Sequence, residues 1–188
     1  MSSKENILKR ISDLDLQPAR LPEIPQFEGF DNLIDTITKT LEGSHVKVTS
    51  VKGNLIDSIK QEISEYEYVV SAVKGIDSTM NEEDLKSKDS LNKVEAMIIN
   101  GKVGVAENGA IWVPESNMSQ RILPFITLHL FVVIQKESIV SNMHEAYSKI
   151  SEIPGFGLFV AGPSKTADIE QSLVVGAHGP KRMTVFIV

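Results

Sequence analysis

No cysteine occurs among the 188 residues. That absence excludes disulfides, a thiolate nucleophile, zinc held on sulfur and an iron–sulfur cluster ligated by this chain's own thiolates. It fits a reducing compartment. Basic residues are in deficit, with 19 Lys and Arg against 25 Asp and Glu and a formal charge of −6. Lys9-Arg10 and Lys181-Arg182 are isolated pairs rather than a basic block, so no nucleic-acid partner is expected. Long apolar runs are missing too. The longest, Ile122 to Ile134, is interrupted by Pro124, Thr127 and His129, and it is shorter than the ~20 residues that span a bilayer. The start, Met-Ser-Ser-Lys-Glu-Asn, leads into no signal-peptide core. A cytoplasmic protein without a membrane span is the expectation. Histidines are few, and no two have the i, i+4 spacing of a metal site, so no metal is expected. Also missing are a Gly-x-Gly-x-x-Gly dinucleotide turn, a phosphate-binding P-loop and a Gly-x-Ser-x-Gly nucleophile elbow.

What is present is ordinary for a globular chain: 41% hydrophobic and 23% charged residues, enough for one domain with a core. Ile7, Leu8, Ile11 and Leu14 form one stripe of an amphipathic helix over Ser3–Leu14. Pro18, Pro22 and Pro25 then favour an extended arm, which divides the chain into an arm, 1–26, and a domain, 27–188. The arm's helix packs on the domain, on a second copy or on a partner.

Beyond the arm, helix and strand patterns alternate. A helix capped by Asp31 carries Leu33, Ile34, Ile37 and Leu41; a strand follows at Val46–Val51, a helix at Leu55–Glu65 and a strand at Tyr68–Val73. This alternation predicts a parallel sheet covered by helices. Asp77–Asp89 reads as a loop or short exposed helix. Val94–Ile99, Lys102–Ala106 and Ala110–Val113 are short strands separated by Asn100-Gly101 and Asn108-Gly109, a spacing that predicts a β-meander. Leu128–Ile134 is a further strand, with His129 expected to be buried and satisfied, and Asn142–Ile150 a further helix. His45 and His144 carry no pattern, and Trp112 reads as core.

The last third holds the densest chemistry. Gly157–Ala161 is a strand that stops at Gly162-Pro163. Ser164, Thr166 and Asp168 then suit a helix N-terminus, with Ile169, Leu173 and Val174 at helical spacing. A strand, a tight turn and a helix start would present free N–H groups to a small anion. Helix capping and ligand binding by Ser164, Thr166, Asp168 and Glu170 use the same groups, and both readings stay open. His178 and Gly179 lie in Gly-Ala-His-Gly-Pro, a loop able to approach a ligand closely, and Met183–Val188 closes the chain as a strand. Upstream, Glu107 beside Asn108-Gly109 is a carboxylate on a strand end, placed either as an incidental turn residue or as a nucleophile or base.

The run Ser164-Lys-Thr-Ala-Asp-Ile-Glu-Gln171, with His178-Gly-Pro and the closing strand, resembles the lactate-utilisation protein C family (LutC/YkgG, the LUD domain group). The likeness is close over 155–188 and looser over about 94–140. It implies a three-layer α/β/α fold with a mixed, mainly parallel sheet, of the NagB/RpiA/CoA-transferase-like kind. In many CoA-transferases a Ser-Glu-Asn-Gly segment carries a glutamate that forms a thioester with CoA, and Ala106-Glu107-Asn108-Gly109 is similar to it, with Ala for Ser. Many LUD members instead have an acidic residue followed by Thr-Gly-Thr; Asn108 and Ala110 stand at the two Thr positions here, which removes two hydroxyls.

The resemblance implies an accessory subunit of bacterial L-lactate oxidation to pyruvate, working with iron–sulfur partner proteins and binding a small anionic ligand. The implied ligand-binding residues are Asn108, Gly109, Gly162, Ser164, Thr166, Asp168, Glu170, His178 and Gly179. The alternatives are a free-standing CoA-transferase or sugar-phosphate-isomerase-like enzyme using Glu107, and a non-catalytic assembly module. A homo-oligomer is a further partner expectation under every reading. The cofactor is left open.

Overall fold

The structure is a computed structural model that describes residues 2–14, 20, 22–150, 155–167, 173–175 and 179–188. The first half runs α1 (Ser3–Ser12), α2 (Leu33–Gly43), β1 (Lys47–Ser50), α3 (Leu55–Ile63), β2 (Val69–Ser71), α4 (Lys88–Leu91), β3 (Ala96–Asn100), β4 (Val103–Val105) and β5 (Ile111–Pro114). The second runs α5 (Leu123–Ile126), β6 (His129–Ile134), β7 (Ile139–Val140), α6 (Met143–Lys149), β8 (Gly157–Val160), β9 (Lys165–Ala167), β10 (Leu173–Val175) and β11 (Arg182–Ile187).

The expected parallel sheet is there, in the order β1-β11-β6-β3-β2 with every neighbour parallel. Its central strands read as unbroken apolar runs because both faces are covered. Alternate residues separate the faces. Met97, Ile99, Leu130, Val132, Ile134, Val185 and Ile187 point to one side, where Ile37 and Leu41 of α2 pack. Ile98, Phe131, Val133 and Phe186 point to the other, where Ile59 of α3 packs. The helix starts follow from their caps. Asn54 and Asn142 accept from amides in the first turns of α3 and α6. α2 is capped by Asn32, which accepts from the Asp35 N–H, and not by the expected Asp31. A cap must directly precede the first helical residue, and Asp31 stands one position too early.

A second sheet, β7-β4-β5-β8, lies over the α2 face. Gly104, Ala106, Ile111 and Val113 turn toward the main sheet, while Val103, Val105, Ala110 and Trp112 pack against Ala146 of α6. Trp112 is core, as expected, and its ring lies 4.9 Å from that of Phe159. This arrangement corrects the β-meander. β4 and β5 do form an antiparallel hairpin, but β3 belongs to the parallel sheet and does not pair with β4. Asn100-Gly101 is a crossing between sheets rather than a hairpin turn. The glycine is needed for close approach: a Cβ on Gly101 would sit 2.4 Å from Ile111 Cγ2.

A second correction concerns Ser164 onward. Lys165–Ala167 is a strand, paired antiparallel with Leu173–Val175, and not the start of a helix. Among the described residues no helix starts there, and Asp168 and Glu170 of the expected site lie outside the described residues. At the other end, α1 is capped by a Ser2/Glu5 capping box and buries none of its residues. Ile7, Leu8, Ile11 and Leu14 are each 55–58% exposed. The chain rejoins the body where Phe27 stacks on His144 at 4.7 Å and the Phe30 N–H donates to Ser141 Oγ. Among the described residues, no helix is long and apolar enough to cross a membrane.

Candidate functional site

Glu107, Asn108 and Gly109 form the tip of the β4–β5 hairpin. The Asn-Gly pair is not a two-residue turn. The Gly109 N–H donates to the Val105 carbonyl and the Val105 N–H to the Ala110 carbonyl, which closes a loop of residues 106–109. Gly109 alone takes the left-handed conformation, at φ 70°. Asn108 Oδ1 accepts from the Ala110 N–H at 2.9 Å, an Asx turn. The exposed Glu107 carboxylate accepts from the Met143 N–H at 2.8 Å, and so serves the first turn of α6. Thr40 Oγ1 donates to the Ala106 carbonyl and ties the hairpin to α2.

Gly162, Ser164 and Gly179 come together elsewhere. They line a hollow of about 310 Å3 with Pro124, Phe125, Val160, Lys165 and Pro180. Two segments far apart in sequence build it: the Ser164 N–H donates to the Pro180 carbonyl at 2.9 Å, and a Cβ on Gly179 would touch Ser164 Cβ at 3.0 Å. The amide of Ser164 is thus occupied, while Ser164 and Lys165 both line the hollow. The start of β8 is fixed by Glu115, which accepts from the Phe156 N–H and from both Arg121 nitrogens facing it. That guanidinium holds the Glu115 carboxyl below its usual range. Glu107, Asn108 and Gly109 are not among the residues lining this hollow. Thr166 is placed on β9; Asp168, Glu170 and His178 lie outside the described residues.

Behind the same wall lies a larger hollow that sequence reasoning did not single out. It measures about 460 Å3 and is lined by His45, Lys47, Glu62, Glu65, His129, Pro163, Lys181, Arg182, Met183 and Thr184. Lys47, His129 and Arg182 are the first residues of β1, β6 and β11, and Glu62 belongs to the last turn of α3. His129 is 7% exposed, as its apolar surroundings suggested. One ring nitrogen meets Tyr66 Oη at 2.8 Å and the other Thr184 Oγ1 at 2.9 Å. Burial, and then the positive charge of Arg182, lower its pKa from 6.5 to about 4. The imidazole is therefore neutral at pH 7. Burial, and then a hydrogen bond to Glu65, raise Tyr66 to about 12. A third hollow, of about 490 Å3, opens past the end of β2 and is lined by Ser71, Ser78, Ser119 and Gln120 among others. Among the described residues no group of three His, Asp or Glu side chains is placed to hold a metal.

Comparison with known proteins adds to this geometry. The sequence profile of the LUD domain matches residues 30–188. A protein named lactate utilization protein C from Oceanobacillus iheyensis is 29% identical over 198 aligned positions, covering 87% of this chain and 85% of its own. One of the same name from Anoxybacillus flavithermus is 26% identical, covering 89% and 86%. The crystal structure of a DUF162 family protein from Deinococcus radiodurans superposes with a TM-score of 0.61 at 18% identity, covering 83% of this chain and 96% of that one. This last similarity concerns the fold alone.

Proposed function

The chain belongs to the LUD domain family, and from that premise we propose that it serves bacterial lactate utilisation as an accessory subunit. The supporting observation is that relatives named lactate utilization protein C align over nearly nine-tenths of the chain. In this reading it works beside iron–sulfur proteins that carry the electrons of L-lactate oxidation, because a chain without cysteine cannot hold such a cluster on thiolates. Its own contribution is to hold a small anionic ligand in the hollow beneath Ser164.

The chemistry of the wall suits that ligand. The Lys165 ammonium complements a carboxylate, and the Ser164 hydroxyl can donate to it or accept from an α-hydroxyl. Pro124, Phe125 and Val160 offer an apolar surface to a methyl group. Gly179 allows the two segments to close on each other without a side chain between them.

The test is growth. Deleting the gene from its host is expected to abolish growth on L-lactate while leaving growth on glucose intact, and a plasmid copy is expected to restore it. Affinity purification of the tagged chain from lactate-grown cells is expected to carry cysteine-rich iron–sulfur proteins with it. Undiminished growth of the deletion strain on L-lactate would remove the proposal.

A further inference from the structure

The hollow at the starts of β1, β6 and β11 is not used by the proposed function, yet it has the features of a built site. Its floor is uncharged and fixed. His129 is locked between Tyr66 Oη and Thr184 Oγ1 and stacks on Phe131 with ring centres 3.9 Å apart. Its rim is charged. Lys47 is paired with Glu62, and Arg182 lies 3.6 Å from Glu65. Lys181 makes no ion pair among the described residues, so the three rim cations outnumber the two carboxylates.

The backbone supplies an independent sign. Helix α2 ends in a Schellman motif: the Val46 N–H donates to the Leu41 carbonyl and the His45 N–H to the Glu42 carbonyl. The residue that donates the second of these bonds takes the left-handed conformation, a position that glycine fills at least cost. Here it is His45, at φ 63°, the one non-glycine residue with positive φ among those described. Its imidazole lines the hollow. A non-glycine side chain in that conformation is uncommon and motivates a functional use for it.

We propose that this hollow is a second ligand site, one that binds an oxyanion, carboxylate or phosphate, between Lys181 and His45 at the rim and the His129–Thr184 floor. The site is distinct from the one beneath Ser164, although the segments Gly162–Ser164 and Gly179–Arg182 form the wall between the two.

Thermal unfolding of the full chain tests this, with inorganic phosphate and with L-lactate titrated separately at constant ionic strength. At least one of the two is expected to raise the midpoint of the wild type in a saturable way; which one does so identifies the oxyanion. Lys181→Gln is expected to weaken that response at least tenfold in concentration. His45→Gly is expected to raise the ligand-free midpoint by a few degrees, since glycine relieves the strain, and to weaken the response as well. Ser164→Ala, in the other hollow, is expected to retain the response that Lys181→Gln weakens and to remove only the part of an L-lactate response that the first hollow contributes. The proposal is overturned if neither anion gives a saturable shift, or if the shift survives both Lys181→Gln and His45→Gly. A shift abolished by Ser164→Ala and kept by the other two would place the anion beneath Ser164 instead, which overturns this proposal while leaving the proposed function standing.

Discussion

The buried imidazole of His129 makes stability depend on pH in a calculable way. Its pKa falls from 6.5 in an unfolded chain to about 4 in the folded one. Between these values the unfolded state takes up a proton that the folded state refuses. Stability is therefore fully present above pH 6.5 and is lost as the pH falls toward 4. At about 1.4 kcal/mol per pKa unit the loss approaches ~3 kcal/mol in the acid limit, and integration from pH 7 to pH 5 gives about 2 kcal/mol. The groups around the ring oppose one another: Arg182 and Lys47 disfavour the proton, and Glu62 and Glu65 favour it. Desolvation outweighs them all. Urea unfolding at pH 7, 6.5, 6, 5.5 and 5, for the wild type and for His129→Asn, isolates the effect. The variant forfeits the Phe131 stacking and is less stable throughout, so the diagnostic is the slope with pH and not the absolute value. The wild type is expected to lose about 2 kcal/mol more than the variant over this range. Equal slopes would refute the picture of a neutral, desolvated histidine.

Three further outcomes are expected. Gly101→Ala places a methyl 2.4 Å from Ile111 Cγ2 and should cost about 1–3 kcal/mol in urea unfolding, and less in an Ile111→Ala background, which lacks that γ-methyl. Glu107→Ala removes the carboxylate that accepts from the Met143 N–H and should lower stability by ~0.5–1 kcal/mol; an unchanged midpoint would show that α6 does not depend on it. Removing residues 1–26 should leave the urea midpoint of the remaining domain nearly unchanged, because α1 buries nothing; a large fall would show the arm to be part of the folded core.

Local pattern was sufficient where the physics is local. The 3.6-residue stripes of α2 and α3, the helix over Asn142–Ile150 and the unbroken apolar run of β6 were all readable, because each is dictated by neighbours a few residues away. Pairing across the chain was not. The Asn100-Gly101 turn signal is genuine, but whether β3 pairs with β4 or with β2 and β6 depends on contacts that no window of residues contains. At Lys165–Ala167 a local capping preference lost to pairing with Leu173–Val175. The convergence of Gly162, Ser164 and Gly179 was legible because the glycines and the hydroxyl announced a turn. The second hollow was not, since Tyr66 and Thr184 lie 63 and 55 residues from the histidine they hold.

The most direct test of the account is complementation of the deletion strain with a copy carrying Ser164→Ala and Lys165→Met, its cellular level checked by immunoblot. The account predicts wild-type abundance and normal growth on glucose, with growth on L-lactate lost or severely slowed. Growth on L-lactate at the wild-type rate would contradict it.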